Sequence, residues 1–178
     1  DESLIGKMAS YIYNVHIAEN YFVNFADADP KFSVDGFVLY RFGKALNDKT
    51  LMSFGNHFTE RAKYNGETFH ELGFFRTRHL FDLLTIKEIS EQKSDYAPVS
   101  DAWFNDIQVM TARSKGGLFL ATHAGHNAES HNHNDVGDFI VYYQNEPIII
   151  DSGRGNYTAK TFSSKRYELW FTQSEFHN

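Results

Sequence analysis

Apolar positions recur at helical spacing in the first half of the chain and alternate in the second half. Leu4, Ile5, Met8, Ile12 and Val15 fall three or four residues apart behind Ser3, whose hydroxyl suits an N-cap, so the chain is predicted to open with a helix. The run Tyr21-Phe22-Val23-Asn24-Phe25 breaks that period and predicts an extended segment or loop ahead of Asp27-Ala28-Asp29-Pro30. Three more helices follow in the pattern: around Gly36 to Leu46, from the Asn47-Asp48 cap through about Ala62, and from about Phe74 to Ile89, where Phe75, Leu80, Leu83, Leu84 and Ile86 form the apolar set. Their spacing predicts antiparallel helical hairpins. His57, His70 and His79 lie in this part and read as surface or hydrogen-bonded histidines rather than ligands.

Between Lys93 and Ser100 the composition shifts, Pro98 interrupts and the period turns from helical to alternating, which places a domain boundary between residues 97 and 98. Strand candidates then follow at Trp103-Phe104, Ile107 to Ala112, Leu118 to His123, Phe139 to Tyr143 and Pro147 to Asp151. Asn105-Asp106, Lys115-Gly116-Gly117 and Asn145-Glu146 supply the turns, and Ser152-Gly153 stops the last strand. The fold class is α+β: helices first, then an antiparallel sheet or one side of a sandwich. No internal repeat or low-complexity tract interrupts this order.

Composition narrows the partners. At 178 residues and 42% hydrophobic content the chain can build one solid core or two small ones. A net charge of −6 without a Lys/Arg cluster argues against nucleic acid. The 16% aromatic content suits a filled core and equally suits stacking on sugar rings. Without cysteine there is no disulfide framework and no thiolate metal site. The apolar runs are far too short for a membrane span. The chain starts inside a helical period without an initiator Met or a signal segment, and it stops next to a candidate ligand, His177, so it is expected to be a fragment.

Candidate chemistry concentrates in the second half. His123, His126, His131 and His133 crowd one short stretch, and the last two open the run His131-Asn132-His133-Asn134-Asp135. Histidines at i and i+2 of an extended chain point to one side and can share a ligand. Asp151, returned by the hairpin, could approach His133, and His177 offers a second imidazole. One carboxylate oxygen and two imidazole nitrogens make a partly open site for zinc or a similar borderline metal. The same residues also suit a polar, solvated turn with Asp151 as a turn former, and spacing alone leaves both readings open. A cupin is a further enzyme reading, because Gly125 precedes His131 and His133 at the right distance, although Asp138 is the only acid near the place where that motif needs one. A non-catalytic, metal-stabilised sandwich that binds a glycan is a third.

The run Gly125-His126-Asn127-Ala128-Glu129-Ser130-His131-Asn132-His133-Asn134-Asp135-Val136-Gly137-Asp138-Phe139, followed by Pro147-Ile148-Ile149-Ile150-Asp151-Ser152-Gly153, resembles the heparinase II/III-like polysaccharide lyases, whose relatives include alginate and oligoalginate lyases. Tyr21 to Asp27, Arg166-Tyr167 to Gln173-Ser174 and His177-Asn178 fit the same pattern. The resemblance implies the end of an (α/α) toroid over 1–97 and the N-terminal part of an antiparallel β-sandwich over 98–178. It implies His133, Asp151 and His177 as metal ligands, with zinc favoured because two nitrogen donors suit calcium poorly. It implies His131 as the substrate-facing catalytic histidine and Tyr167 as a catalytic tyrosine, with Tyr157 as its competitor; Asn132, Arg166 and Tyr157 are the implied substrate contacts. The implied reaction is β-elimination on an acidic, uronate-containing polysaccharide of glycosaminoglycan or alginate type, in a bacterial periplasm or outside the cell. The family's remaining catalytic Asn or His and Tyr come from earlier toroid helices, so this chain alone is expected to be inactive. A lyase site should include His177, whereas a cupin would draw a histidine from a later strand.

Overall fold

The computed structural model describes residues 2–64 and 76–178. They divide into two compact units, one of residues 1–13 and 33–97, the other of 14–32 and 98–178. The side chain of Ser3, the expected cap, the helix start at Phe74 and the side chains of His70, Phe75 and His79 lie outside the described set.

The first unit is helical: α1 (Glu2–Asn14), α2 (Gly36–Leu46), α3 (Lys49–Tyr64) and α4 (Arg76–Ser90). Asp35 caps α2 by accepting a bond from Val38 N at 3.1 Å, and Asn47, at φ 55°, ends it in the left-handed conformation. Asp48 then accepts from Leu51 N at 2.9 Å and starts α3, as the sequence pair Asn47-Asp48 predicts. The resulting short turn folds α3 back on α2. Their backbones nearly touch, because a Cβ on Gly55 would stand 2.5 Å from Tyr40 N and 2.6 Å from Gly36 O. Tyr40, Leu51, Phe54, Phe58 and Ile89 are buried in this unit. The expected apolar face of α4 is not the buried one: Leu80, Phe81, Leu83 and Leu84 are exposed, and Asp82, Thr85 and Ile89 are buried. An ion pair decides the orientation, since Asp82 Oδ1 lies 2.5 Å from Arg41 Nη1 of α2, and an acid placed inward stays there only with such a partner.

The second unit is an antiparallel meander of five strands in sequence order, β3 (Asp101–Phe104), β4 (Val109–Arg113), β5 (Leu118–His123), β6 (Phe139–Tyr143) and β7 (Glu146–Ile149). Alternation puts Val109, Thr111, Phe119, Ala121, Ile140 and Tyr142 on the buried side, while Trp103, Leu118 and Tyr143 remain exposed. β4 starts at Val109 instead of Ile107, because Gln108 takes a positive φ of 48° at the turn. The β6–β7 turn is Gln144-Asn145, with φ 49° and 69°, which suits a tight two-residue hairpin. Glu146 is thereby drawn into β7, and Asp151 stands two residues beyond the strand instead of at its end.

Residues 14–32 carry a short pair, β1 (His16–Ala18) and β2 (Tyr21–Phe22), and join this unit although helices flank them in sequence. Arg113 donates to Ile17 O at 3.0 Å and to His16 O, Thr111 Oγ1 donates to Asn14 O at 3.3 Å, and the rings of Tyr21 and Tyr142 meet edge to face at 5.6 Å. The unit closes with three single 3₁₀ turns, Arg166–Glu168, Trp170–Thr172 and Ser174–Phe176. The described structure is α+β, and no helix in it is long and apolar enough to cross a membrane.

Candidate functional site

The loop from β5 to β6 and the 3₁₀ segment meet the 14–32 segment at one carboxylate. Asp27, with 7% of its side chain exposed, accepts bonds on Oδ2 from Tyr157 Oη at 2.9 Å and His131 Nδ1 at 3.1 Å, and on Oδ1 from His133 Nε2 at 3.0 Å. Arg166 Nη2 lies 3.0 Å from both of its oxygens. Burial pushes the Asp27 carboxyl up, but the bonds from Tyr157, Arg166, His131 and His133 together outweigh it and hold the group below the usual aspartate value. Asp27 is therefore an anion at neutral pH.

Around that anion the implied substrate and catalytic residues gather. His131 is the open member, with 61% of its side chain exposed and a left-handed φ of 60°. The loop is irregular here, so strand alternation does not operate, yet both imidazoles of the pair reach the same carboxylate. Arg166 also donates from Nε to Asn132 O at 3.1 Å, from Nη1 to Thr161 O at 3.2 Å and from Nη2 to His131 O at 3.2 Å and Asn132 O at 3.0 Å. Each of its three nitrogens is thus bonded within the chain. Asn132 is buried, with Oδ1 accepting from Tyr167 Oη at 2.8 Å and Nδ2 donating to Asn127 O at 2.5 Å. Tyr167 belongs to the first 3₁₀ turn and is partly exposed. Tyr157 is also partly exposed, and its bond to Asp27, then burial, raises its phenol above the ordinary value and keeps it protonated.

Behind His133 lies the candidate metal corner. His133 is fully buried; burial pulls its pKa down against the attraction of Asp27, so the ring is neutral at neutral pH. Its Nε2 faces Asp27, and its Nδ1 is buried without a hydrogen-bond partner. Two groups of potential ligand atoms have all members within 4.8 Å of one another: His133, Asp135 and His177, and Asp138, Asp151 and His177. His177 belongs to both, while His133 falls in the first and Asp151 in the second. The His177 ring contacts Phe171 O through Nε2 at 3.2 Å and Asp151 Oδ2 through Nδ1 at 2.7 Å, and its centroid lies 5.3 Å from that of His133. Burial, then hydrogen bonding and repulsion from Asp151, push the Asp138 carboxyl up to about 7, and its Oδ2 is a second buried atom without a partner. A carboxylate pair beside two imidazoles, with an orphaned nitrogen and an orphaned oxygen, suits a divalent cation.

The sequence does not mark Asp27 or Asp135 as a ligand or contact, and it offers Asp138 only as the acid of the cupin motif. Asp135 and Asp138 sit inside the histidine block, where proximity in sequence was the available signal; Asp27 had none beyond its place in the Tyr21–Asp27 run. His123 and His126 stay apart from the corner: His123 Nε2 pairs with Glu129 at 3.3 Å, and exposed His126 Nδ1 accepts from Ala128 N at 3.2 Å.

Residues 98–178 match the family model described as Heparinase II/III-like, C-terminal. No curated protein matches the sequence. Among solved structures the chain is similar to one titled Heparinase III-BT4657 gene product, with a TM-score of 0.60 and 16% identity, over 99% of this chain and 23% of that chain. At that identity the likeness is one of fold, and the chain spans under a quarter of the length of that relative.

Proposed function

We propose, from the match of residues 98–178 to the Heparinase II/III-like C-terminal family model, that the chain forms the metal-holding side of a polysaccharide lyase that cleaves a uronate-containing chain by β-elimination. The carrying observation is the convergence of His131, Tyr157 and Arg166 on Asp27, directly beside His133 with its orphaned Nδ1. In such a reaction a base takes the proton from C5 of the uronate, the C4–O bond breaks as the C4=C5 double bond forms, and an acid returns a proton to the departing oxygen.

His131 suits the base or the neutralising donor, because its ring is exposed while Nδ1 is tied to Asp27. Tyr157 suits the acid, since Asp27 keeps its phenol protonated, and Tyr167 is the alternative, with its hydroxyl anchored on Asn132. Arg166 acts from behind, holding the carbonyls of His131 and Asn132, and the Asn132 amide ties down the carbonyls of Asn127 and His133. His133, His177 and a carboxylate from Asp135 or Asp151 would hold zinc. When bound, zinc would supply a fixed positive charge and tether the ligand-bearing loops to each other.

The engagement of all three Arg166 nitrogens inside the chain favours one second reading, a non-catalytic, metal-stabilised glycan-binding domain. The test incubates the chain with heparin, heparan sulfate, alginate and hyaluronan and follows the ultraviolet absorbance of unsaturated uronate, alone and within a longer chain that supplies the rest of the cleft. Turnover in the longer chain that is lost with His131→Ala, and none in the isolated chain, is expected. A longer chain that binds these polymers without turnover would establish the second reading.

A further inference from the structure

We infer that Asp27 is a positioning residue that sets the two histidines of His131-Asn132-His133 in opposite tautomers, one with its lone pair turned inward as a ligand and the other with its lone pair left for substrate. Asp27 Oδ2 faces Nδ1 of His131 at 3.1 Å, and Asp27 Oδ1 faces Nε2 of His133 at 3.0 Å. An ionised carboxylate can only accept, so each facing nitrogen must carry a proton. His131 is then the Nδ1–H tautomer with the lone pair on Nε2, and His133 is the Nε2–H tautomer with the lone pair on Nδ1. That Nδ1 is the buried atom without a partner, and His133 stands with Asp135 and His177 in one of the two possible ligand groups. The lone pair of His131 sits on the exposed ring.

One buried anion therefore divides two neighbouring imidazoles between two jobs. A carboxylate behind a metal-binding histidine is a recurrent device for fixing ring orientation and raising ligand basicity; here the same group also orients the ring that faces outward. Arg166 and Tyr157 keep the anion in place and charged, as their bonds to both oxygens require. What the two lone pairs act upon rests on the proposed function, whereas the tautomers themselves do not.

The test is two-bond ¹H–¹⁵N correlation of the imidazole rings in the metal-free full chain at about pH 8.5, well above the ordinary histidine value of about 6.5. The expected wild-type result is protonation at Nδ1 of His131 and at Nε2 of His133. Asp27→Asn should move His131 toward the Nε2–H form and weaken zinc binding, read by competition with a chromophoric chelator, by about 10- to 100-fold, while Asp27→Glu restores part of both. An Nε2–H His131 or an Nδ1–H His133 in the wild type overturns the inference without recourse to any variant. So does unchanged zinc affinity in a folded Asp27→Asn chain. A wild type that binds no zinc defeats the metal reading, and the ring-nitrogen pattern still decides for or against Asp27.

Discussion

Replacing Arg166 by methionine keeps much of the aliphatic stem and removes the guanidinium, which binds both oxygens of Asp27 and the carbonyls of Asn132, His131 and Thr161. Asn132 and Thr161 are buried and the Asp27 side chain is 7% exposed, so the change strands an anion and two carbonyls largely away from water. Breaking a buried ion pair costs about 3–5 kcal/mol, and each abandoned buried acceptor about 1–3 kcal/mol. Tyr157, His131 and His133 still donate to Asp27, which moves the expectation to the lower end, about 3 kcal/mol. Urea unfolding followed by tryptophan fluorescence measures it, because Trp103 and Trp170 both belong to the second unit. The pH dependence has a definite sign. Asp27 is depressed in the fold, so its share of the stability is complete above the ordinary aspartate value of about 3.9 and is lost as pH falls through the lower folded value. The gap between wild type and Arg166→Met should close in that acid window. Arg166→Lys should lose about 1–2 kcal/mol, keeping the charge without the fork. A loss below about 0.5 kcal/mol at neutral pH, in the range of ordinary surface substitutions, would refute the buried-anion account.

Three other outcomes follow from the described geometry. In the chelator-treated chain, Asp138→Asn should raise stability at about pH 8 relative to pH 4, because a carboxyl lifted to about 7 stabilises the fold below its unfolded value and loses that contribution as pH rises through the folded one; each unit of displacement corresponds to about 1.4 kcal/mol, and urea midpoints at both pH values that move equally would contradict it. His133→Ala should remove bound zinc while His131→Ala retains it, so metal analysis giving equal content in both variants defeats the assignment. Gly55→Ala should destabilise the helical unit by about 1–3 kcal/mol, since its Cβ meets the Tyr40 backbone at 2.5 Å; an unchanged melting curve of the helical circular dichroism would show that α2 and α3 separate freely.

The elements legible in the sequence are those whose signals are local. Gly36–Leu46 lies between a capping Asp and a left-handed Asn, and Leu118–His123 and Phe139–Tyr143 alternate cleanly, so their limits follow from adjacent residues. The face of α4 was misjudged for a reason outside its own pattern, since Arg41 on another helix holds Asp82 inward. The hairpin slipped by a residue because Gln144 adopts a positive φ, a conformation its side chain does not advertise. At the site, the histidine block drew attention by density, and the structure places its neighbours Asp135 and Asp138 among the possible ligand groups. Asp27 was beyond such reasoning, since its partners stand 104 to 139 residues away and pairing at that range leaves no periodic trace.

That separation also orders events during synthesis. Asp27 leaves the ribosome long before His131, Tyr157 and Arg166 exist, and α2, α3 and α4 are made in the interval. Those helices close by contacts between near neighbours, whereas Asp27 must wait, charged and solvated, until nearly the whole C-terminal stretch has emerged. The cluster around Asp27 is then complete only once Arg166 has been made, and a ribosome that stalls before that point yields a chain in which the carboxylate has none of these partners.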